Sequence, residues 1–319
     1  MDTIKWGIIG LGSTSSRMIK GIEQLDSGRL VAVASRTERK LSIFKESHPQ
    51  VTPYQDYDEL LAHPELQAVY ITLRHKDHYK WAYKALSLGI AVLCEKPATL
   101  NVKETQSLIQ AAQTNHTFFL EALKTRFMPL TQTLHSIIDQ GLIGDIEVIE
   151  NAFCYDMPYK EGSYLYELDQ GGILYDVGTY TLGAILDYIH SPISAIEVTS
   201  DFNYKVDVYE KIELSFENGA KAIAQNAMDR NLPRFMRIQG NLGKIEMDNF
   251  HRPTQFTLTL NQQAPQIYTH DQDDFVGQVE AVHQGILDKP IEDPRFTHQD
   301  SLRIIEVMEK VRLQFKHNL

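Results

Sequence analysis

The sequence predicts an α/β protein with two parts. The first part is a doubly wound parallel sheet, and the second is an α+β domain with a large, mostly antiparallel open sheet. Over the first 120 residues, short apolar runs alternate with segments of helical periodicity. In the second half, apolar residues instead alternate every second position, as in Ile212, Leu214 and Phe216. A chain of 319 residues is also long enough for two hydrophobic cores.

The N-terminal elements follow one another at the pitch of strand–helix–strand units. The run IKWGIIG ends in Gly10 and is followed by apolar residues at helical spacing, from Met18 to Leu25. Further strand-like runs cover 29–36, 68–73 and 90–96, each separated from the next by a helical segment. Consecutive units of this kind form parallel sheets with right-handed crossovers. We therefore expect a dinucleotide-binding domain over residues 1–121.

The remaining residues, 122–319, are predicted to form the second domain. KIELSFENG and QFTLTL alternate apolar and polar residues, and FMRIQGNLGKIEM is typical of two strands joined at Gly240–Gly243. The final segment is typical of an amphipathic helix. No flexible linker separates the two parts, so we place the boundary near Glu121.

Composition and charge exclude several classes of protein. The formal net charge of -11 disfavours a nucleic-acid partner, because phosphate binding requires a basic face. No apolar run approaches the ~20 residues of a membrane helix, and the N-terminus lacks the pattern of a signal peptide. Cys94 and Cys154 lack metal-ligand spacing, which predicts packed free thiols and no metal site. We expect a soluble, cytoplasmic protein without membrane partners.

The stretch IIGLGSTS carries the pattern G-x-G-x-x-S between a strand and a helix. Gly10 permits a tight turn, Gly12 lets the backbone approach a pyrophosphate, and the small Ser15 allows close helix–strand packing. Ser13 and Thr14 complete the turn at the helix N-terminus, where N–H groups favour an anion. The pattern predicts a dinucleotide site; the alternative is a tight turn that binds nothing.

The end of the second strand reads ASRTERK. A site selective for NAD would carry Asp or Glu here to bind the ribose 2′-hydroxyl. Ser35 and Arg36 occupy the position instead, and a hydroxyl with a guanidinium suits a 2′-phosphate. We therefore favour NADP over NAD. The alternative is that Arg36 faces solvent or stacks on adenine.

The stretch VLCEKPATL places Glu95, Lys96 and Pro97 directly after an apolar run. In a doubly wound sheet, ligands lie beyond the carboxyl ends of the strands. Lys96 is thus predicted to lie at the rim of the cofactor site, and Pro97 stops the strand. A solvated ion pair at a strand end is the alternative.

The stretch DQGGILYDVGTYTLGAI carries Asp176 and Tyr180, which share a face if the segment is helical. Gly178 between them costs ~1 kcal/mol in a helix, which indicates close packing against its backbone. An acid and a phenol near an amine suit proton transfer. The alternative is a packed helix in which both residues are structural.

Together these stretches resemble the Gfo/Idh/MocA family of NAD(P)-dependent oxidoreductases, in the branch of the dimeric dihydrodiol dehydrogenases and glucose–fructose oxidoreductase. The resemblance covers nearly the whole chain. It rests on the stretches GIIGLGSTS, VAVASRTERK, VLCEKPATL, QGGILYDVGTYTLGAI and IQGNLGKIEM. It implies an enzyme that transfers hydride between a nicotinamide and a hydroxyl or carbonyl of a sugar, polyol or cyclic diol. It also implies a homodimer formed through the C-terminal sheet.

The resemblance assigns roles to individual positions. Lys96 matches the lysine near the nicotinamide and the substrate oxygen, Tyr180 matches a proton donor or acceptor, and Asp176 matches the acid that orients substrate or tyrosine. His78 matches a frequent histidine of the family and Arg126 matches an arginine near the cofactor pocket. Leu73 and Glu95 are also expected beside the cofactor. The chain departs from the family after the third principal strand, where Leu73-Arg74-His75 replaces Thr-Pro-Asn.

Two alternatives stay open at this point. One is an NAD-dependent dehydrogenase of the inositol or amino-sugar type, in which the family carries histidine near position 180. The other is an NAD(P)-binding regulator without turnover, which the presence of Lys96, Asp176 and Tyr180 disfavours.

Overall fold

The computed structural model describes residues 3–271 and 273–315. The chain divides into two compact units, and each contains two segments of sequence. The first unit comprises Met1–Lys124 and Asp273–Ser301, and the second comprises Thr125–Gln272 and Leu302–Leu319.

The first unit contains a six-stranded sheet in which all strands are parallel. Its strands are β1 (Ile4–Ile9), β2 (Gly28–Ala34), β3 (Thr52–Tyr54), β4 (Ala68–Ile71), β5 (Ala91–Cys94) and β6 (Phe119–Glu121). Their order is β3-β2-β1-β4-β5-β6, which is the doubly wound arrangement that the sequence predicted. β4 and β5 are buried at every residue, as expected for a parallel sheet covered on both faces.

Among the described residues, six α-helices lie wholly within the first unit. They are α1 (Ser15–Glu23), α2 (Glu38–Ser47), α3 (Tyr57–Leu61), α4 (His75–Ser87), α5 (Val102–Asn115) and α8 (Val276–Asp288). The dinucleotide fingerprint leads from β1 directly into α1, so the predicted strand–turn–helix context is confirmed.

Helix α8 explains why residues 273–301 lie in the first unit, which differs from the contiguous boundary expected at 121. At Gly21 of α1, a Cβ atom would lie 3.1 Å from Cβ of Phe275. The Trp6 indole of β1 donates to Nε2 of His283 at 2.9 Å. Both contacts are between residues more than 250 positions apart, and no local sequence pattern encodes them.

The second unit contains an eight-stranded sheet. Its strands are β7 (Ile146–Cys154), β8 (Ile193–Asn203), β9 (Val206–Phe216), β10 (Lys221–Ala227), β11 (Phe235–Gly240), β12 (Gly243–Asp248), β13 (Gln255–Leu260) and β14 (Gln266–Thr269). Their order is β14-β13-β12-β11-β7-β10-β9-β8. Only the β7–β10 pair is parallel among these ladders, so the prediction of a mostly antiparallel sheet is confirmed.

The helices of the second unit are α6 (Pro129–Asp139), α7 (Thr179–Tyr188) and α9 (His298–Phe315), the last of which begins in the first unit. Along β9, the even-numbered side chains from Val206 to Phe216 are buried, whereas the odd-numbered ones beyond Val208 are half-buried. The buried face therefore follows the two-residue alternation seen in the sequence. Helix α7 packs against β7 and β10 on this sheet.

Candidate active site

The glycine-rich turn between β1 and α1 requires glycine at its first position. Gly10 has φ +98°, and a Cβ atom there would lie 2.2 Å from the carbonyl oxygen of Thr72. Its N–H group donates to the Ala34 carbonyl at 2.9 Å. The turn is thus pressed between the ends of β2 and β4, where any side chain would displace the backbone.

At Gly12, unlike at Gly10, the surrounding protein leaves enough space for a side chain. A Cβ atom there would lie 3.5 Å from Oγ1 of Thr72, which is an ordinary contact, and the residue is exposed. The neighbouring Ser13 is also exposed. A glycine that packing does not demand suits a turn against which a ligand lies, and the residues present therefore fit a dinucleotide.

The start of α1 is open to an anion. Thr14 at the N-cap makes no side-chain cap, and the first turn carries no acidic residue. Ser15 is buried and donates its hydroxyl to the Gly12 carbonyl at 2.7 Å, which ties the turn to the helix. Helix N–H groups therefore point outward without a competing carboxylate.

The end of β2 presents a positive charge near this turn. Ser35 is buried and accepts from the Thr37 N–H at 3.2 Å, so its hydroxyl shapes the turn. Arg36 is exposed, with its guanidinium 5.0 Å from the centre of the Tyr57 ring. Lys40 reaches back from α2 and donates to the Leu11 carbonyl at 2.8 Å. Lys40 thus places a cation against the glycine-rich turn, and Arg36 adds an exposed cation just beyond the end of β2.

Glu95 and Lys96 follow β5 at the carboxyl end of the parallel sheet, as predicted. The Tyr70 phenol donates a hydrogen bond to the Glu95 carboxylate. Burial raises the pKa of Glu95, although the nearby Lys96 charge and the Tyr70 hydrogen bond act in the opposite direction. Glu95 is therefore held by the protein itself, and the Lys96–Pro97 peptide bond beside it is cis.

Tyr70 connects this strand end to the glycine-rich turn. Its phenol also hydrogen-bonds the side chains of Thr14 and Thr72, which lie 2.7 Å from each other. Burial, followed by the Glu95 charge, raises the pKa of Tyr70 well above its usual value. Sequence reasoning missed this residue. A tyrosine inside the otherwise apolar run AVYI was the available signal.

His78 and Leu73 lie beside the same strand end. Nδ1 of His78 is 2.8 Å from the Pro97 carbonyl, and Nε2 is 3.2 Å from that of Leu73. Burial lowers the pKa of His78, so the ring is neutral and donates to one of these carbonyls at a time. These contacts make His78 a bridge between two loops. A direct contact with a cofactor stays a prediction for both residues.

In the second unit, Asp176 and Tyr180 lie on a segment that is helical, but not uniformly so. A π-helical turn, Leu174–Gly178, precedes α7. Asp176 and Tyr180 are half-buried within the otherwise buried stretch 171–183. They are therefore the two polar side chains that this stretch presents to solvent, in keeping with the shared face that was predicted.

Asp176 has a partner that the sequence did not reveal. The Tyr155 phenol, just beyond β7, donates to the Asp176 carboxylate. Burial and then the Asp176 charge raise the pKa of Tyr155, so the phenol keeps its proton. This hydrogen bond fixes one carboxylate oxygen of Asp176.

Aromatic rings surround Tyr180. The ring centre of Phe153 is 5.7 Å away and that of His251 is 6.5 Å away. Phe153 and His251 stack on each other at 4.1 Å. Sequence analysis did not select either residue, because His251 is separated from Tyr180 by 71 positions.

Gly178 has the close neighbours that its presence in a helix suggested. A Cβ atom there would lie 2.7 Å from Cδ1 of Leu174 and 3.8 Å from the amide nitrogen of Asn226. The nearest atom thus belongs to the π-helical turn itself.

Arg126 is engaged within the second unit. It is 5% exposed and forms an ion pair with Asp187 of α7. Its guanidinium also donates to the Gly183 carbonyl at 3.3 Å, and His135 contacts the other Asp187 oxygen at 3.0 Å. Arg126 therefore anchors α7, and its expected contact with a cofactor stays a prediction.

The described part of the chain holds neither a candidate metal site nor a candidate membrane span. Residues 3–271 and 273–315 hold no group of three or more His, Cys, Asp or Glu side chains that could bind a metal ion. Over the same residues, no helix combines the length and apolar character needed to cross a membrane. Cys94 and Cys154 are buried and free.

Two protein-family models match this chain. Residues 4–122 match the Gfo/Idh/MocA oxidoreductase family with an NAD-binding Rossmann fold. Residues 131–246 match a C-terminal domain of the same family. The matched ranges contain the fingerprint turn, Lys96, Asp176 and Tyr180.

Similar curated proteins and solved structures agree with this result. The chain is 32% identical to trans-1,2-dihydrobenzene-1,2-diol dehydrogenase of Bos taurus over 260 residues, covering 80% of this chain and 77% of that one. The Danio rerio protein of the same name is 26% identical over 98% of this chain and 96% of its own.

Two solved structures share the fold. One is a 3-ketoreductase from Actinomadura kijaniata in complex with NADP and TDP-benzene, with a TM-score of 0.88 at 23% identity over 98% of both chains. The other is an aldose-aldose oxidoreductase from Caulobacter crescentus, with a TM-score of 0.89 at 19% identity over 99% of this chain and 98% of that one. The chain therefore belongs to the Gfo/Idh/MocA family of NAD(P)-dependent oxidoreductases, in the branch that includes the dihydrodiol dehydrogenases.

Proposed function

We propose that the protein is an NADP-dependent reductase or dehydrogenase for a hydroxyl or carbonyl carbon of a sugar, polyol or cyclic diol. One observation carries the proposal. Thr14, Thr72 and Tyr70 connect the fingerprint turn to Glu95 by hydrogen bonds, directly beside Lys96. Lys96 directly follows the residue that these hydrogen bonds tie to the turn, and this position suits chemistry at the cofactor better than a solvated strand end does.

The cofactor preference is proposed from the residues around the turn. Gly10, Gly12 and Ser13 would lie against the pyrophosphate, with α1 supplying N–H donors. Ser35 and Arg36 would face the adenosine 2′-phosphate, and Lys40 lies close enough to the turn to add charge. Support comes from the Actinomadura ketoreductase, which was solved with NADP.

The proposed chemistry involves three residues, Tyr180, Asp176 and Lys96. The bound cofactor supplies the hydride donor or acceptor. Tyr180 exchanges a proton with the substrate oxygen, and Asp176, held by Tyr155, orients that exchange. The Lys96 ammonium stabilises negative charge developing on the oxygen.

The substrate class is proposed from the relatives and from nearby aromatic rings. The relatives are named for a dihydrobenzene diol and for aldoses, which are all rings or polyols. In this chain, Tyr159 stacks on Tyr204 at 4.0 Å, and Tyr166 contacts both rings edge-on. Ring faces of this kind suit a cyclic substrate.

A spectrophotometric screen tests the proposal. Purified protein with NADPH or NADP⁺ is offered a panel of cyclic diols, aldoses and keto-sugars, and absorbance of the reduced nicotinamide is followed. We expect turnover with at least one member of the panel. Tight NADPH binding without any turnover would instead favour a cofactor-binding regulator.

A further inference from the structure

Three polar side chains of the second sheet are buried beneath the segment that carries Asp176 and Tyr180. Asp207 and Glu210 belong to β9, and Asn226 belongs to β10. They are at most 3% exposed. Buried polar groups are costly unless they are satisfied, and the proposed chemistry uses none of the three.

Asp207 holds the beginning of the segment. Its carboxylate accepts from the Leu174 N–H at 2.8 Å, at the first residue of the π-helical turn. It also occupies the space beside Gly172, where a Cβ atom would lie 2.0 Å from Oδ1. Gly172 has φ +99°, so both the conformation and the close approach require glycine.

Asn226 and its neighbours hold the end of the segment. Thr181 donates its hydroxyl to the Asn226 side-chain oxygen at 2.9 Å, and the Asn226 amide donates to Glu210 at 3.2 Å. The Asn151 amide of β7 donates to the Thr181 carbonyl at 2.9 Å. Thr181 directly follows Tyr180, so the proposed catalytic residues lie between two anchored positions.

The surroundings of Asp207 and Glu210 determine which of the two acids is more easily protonated. Oε1 of Glu210 has no donor within hydrogen-bond distance among the described residues, whereas Asp207 receives the Leu174 N–H. Burial, followed by the Asp207 charge, raises the pKa of Glu210 well above its usual value. Burial also raises the pKa of Asp207, and the Leu174 N–H opposes that effect. The charge of Arg312 on α9 lowers the pKa of both groups and so opposes the effect of burial.

The anchoring at both ends matters because the segment contains a π-helical turn. Its i→i+5 hydrogen bonding accommodates one more residue than an α-helical turn. A slip by one residue would rotate every following side chain by about 100°, because an α-helix has about 3.6 residues per turn. Contacts at both ends of the stretch resist such a slip.

We propose that Asp207, Glu210 and Asn226 form a buried polar frame that fixes the rotation of the segment Gly172–Thr181 and thereby positions Asp176 and Tyr180. The inference rests on the proposed function, since it assigns those two residues to the reaction. Asp207, Glu210 and Asn226 are positioning residues, acting through the segment rather than on the substrate.

The test compares Asp207→Val and Glu210→Leu with Leu214→Ala, a destabilising change at a buried residue of the same strand. We expect kcat to fall by about 10- to 100-fold in the first two variants, because a small misplacement of reacting groups is enough for such a loss. The KM for NADPH should change little. Leu214→Ala should lower Tm and leave kcat near the wild-type value.

Hydrogen exchange gives a readout that needs no substrate. Peptides covering Gly172–Thr181 should exchange at least about tenfold faster in Asp207→Val, since the Leu174 amide loses its acceptor. The same peptides should be unchanged in Leu214→Ala. The frame is overturned if these peptides exchange at the same rate in Asp207→Val and Leu214→Ala, or if the two variants lose the same factor in kcat. If the wild-type protein turns over no substrate in the screen while its Gly172–Thr181 peptides remain protected from exchange, the proposed function is overturned and the frame is not.

Glu210→Gln is the conservative variant, because an amide keeps an oxygen that can accept from Asn226 and, like a protonated acid, carries no charge. It should retain kcat, in contrast to Glu210→Leu. The folded pKa of Glu210 is raised, so wild-type stability falls as pH rises above the usual glutamate value of about 4.3. Glutamine does not titrate, so the Tm advantage of Glu210→Gln should grow from pH 5 to pH 9. A pH-independent difference in Tm contradicts a protonated Glu210.

Discussion

Glu95 and Lys96 are neighbours in the sequence, but their environments separate their roles. The Glu95 carboxylate is bound by the Tyr70 phenol and by the Lys96 N–H at 3.3 Å. An acid with such partners orients its surroundings and is poorly placed to exchange protons with a substrate. Lys96 carries the charge at the strand end and is therefore the member of the pair that we assign to the reaction.

Arg36 gives the sharpest test of cofactor preference. Arg36→Ala should weaken NADPH binding by about 10- to 100-fold, because a hydrogen bond to a charged group contributes about 1.5–3 kcal/mol. NADH binding should be unchanged. Fluorescence titration measures both, with Arg39→Ala as the matched control from the same exposed stretch. Equal weakening of NADPH and NADH binding would contradict a 2′-phosphate contact at Arg36.

Individual residues were predicted from the sequence where a local motif encodes them. Gly10, Gly12 and Lys96 belong to such motifs. Tyr70 and Asp207 do not, because their partners are 25 and 33 positions away in the chain. Contacts between polar groups far apart in the chain produce no periodic pattern in the sequence. The roles of Tyr70 and Asp207 therefore became visible only in the structure.

At the scale of elements, the turn between β1 and α1 allows a direct comparison of two glycines. Gly10→Ala would combine a positive φ with a contact at 2.2 Å. Gly89→Ala shares the positive φ but meets no atom within 4 Å. The control should lose only ~1–2 kcal/mol from the strained conformation.

We therefore expect Gly10→Ala to lower the free energy of unfolding by more than Gly89→Ala does. It should also weaken NADPH binding at least tenfold, since the turn must move away from Thr72. Urea denaturation and fluorescence titration measure the two effects. Equal losses in both variants would show that the close approach at Gly10 has no consequence.

The segment around Asp176 shows how far periodicity can predict an element. The spacing predicts a helix with Asp176 and Tyr180 on one face, and both are indeed half-buried in a buried stretch. The π-helical turn Leu174–Gly178 was not predicted. Its geometry depends on the Asp207 carboxylate and on Gly172, which a pattern of apolar residues cannot encode.

For the molecule as a whole, both sheet types and their order along the chain were predicted from alternating patterns. The division at residue 121 stays a prediction, and in the structure the compact unit that holds residues up to Lys124 also includes Asp273–Ser301. Helix α8 carries an ordinary amphipathic pattern, and such a pattern does not specify which sheet the helix covers.

The second sheet is also where we propose that two copies associate, as the family resemblance implies. A shallow cavity of about 190 Å³ on this sheet is lined by charged side chains of both signs, among them Glu150, Arg237 and Lys244. Such a surface can complement a second copy of itself. Light scattering at micromolar concentration should give the mass of a dimer, and a monomer would reject the proposal.

The central claim is that Tyr180 exchanges a proton with the substrate oxygen while Lys96 stabilises the negative charge that develops on it. The most direct measurement is the NADPH-dependent rate of Lys96→Met and Tyr180→Phe on a substrate identified in the screen. Lys103→Met and Tyr209→Phe serve as matched controls within the same units. We predict losses of about 10²- to 10⁴-fold for the first two variants, with controls near wild type and NADPH binding retained in Tyr180→Phe. Full activity in both Lys96→Met and Tyr180→Phe would contradict the account.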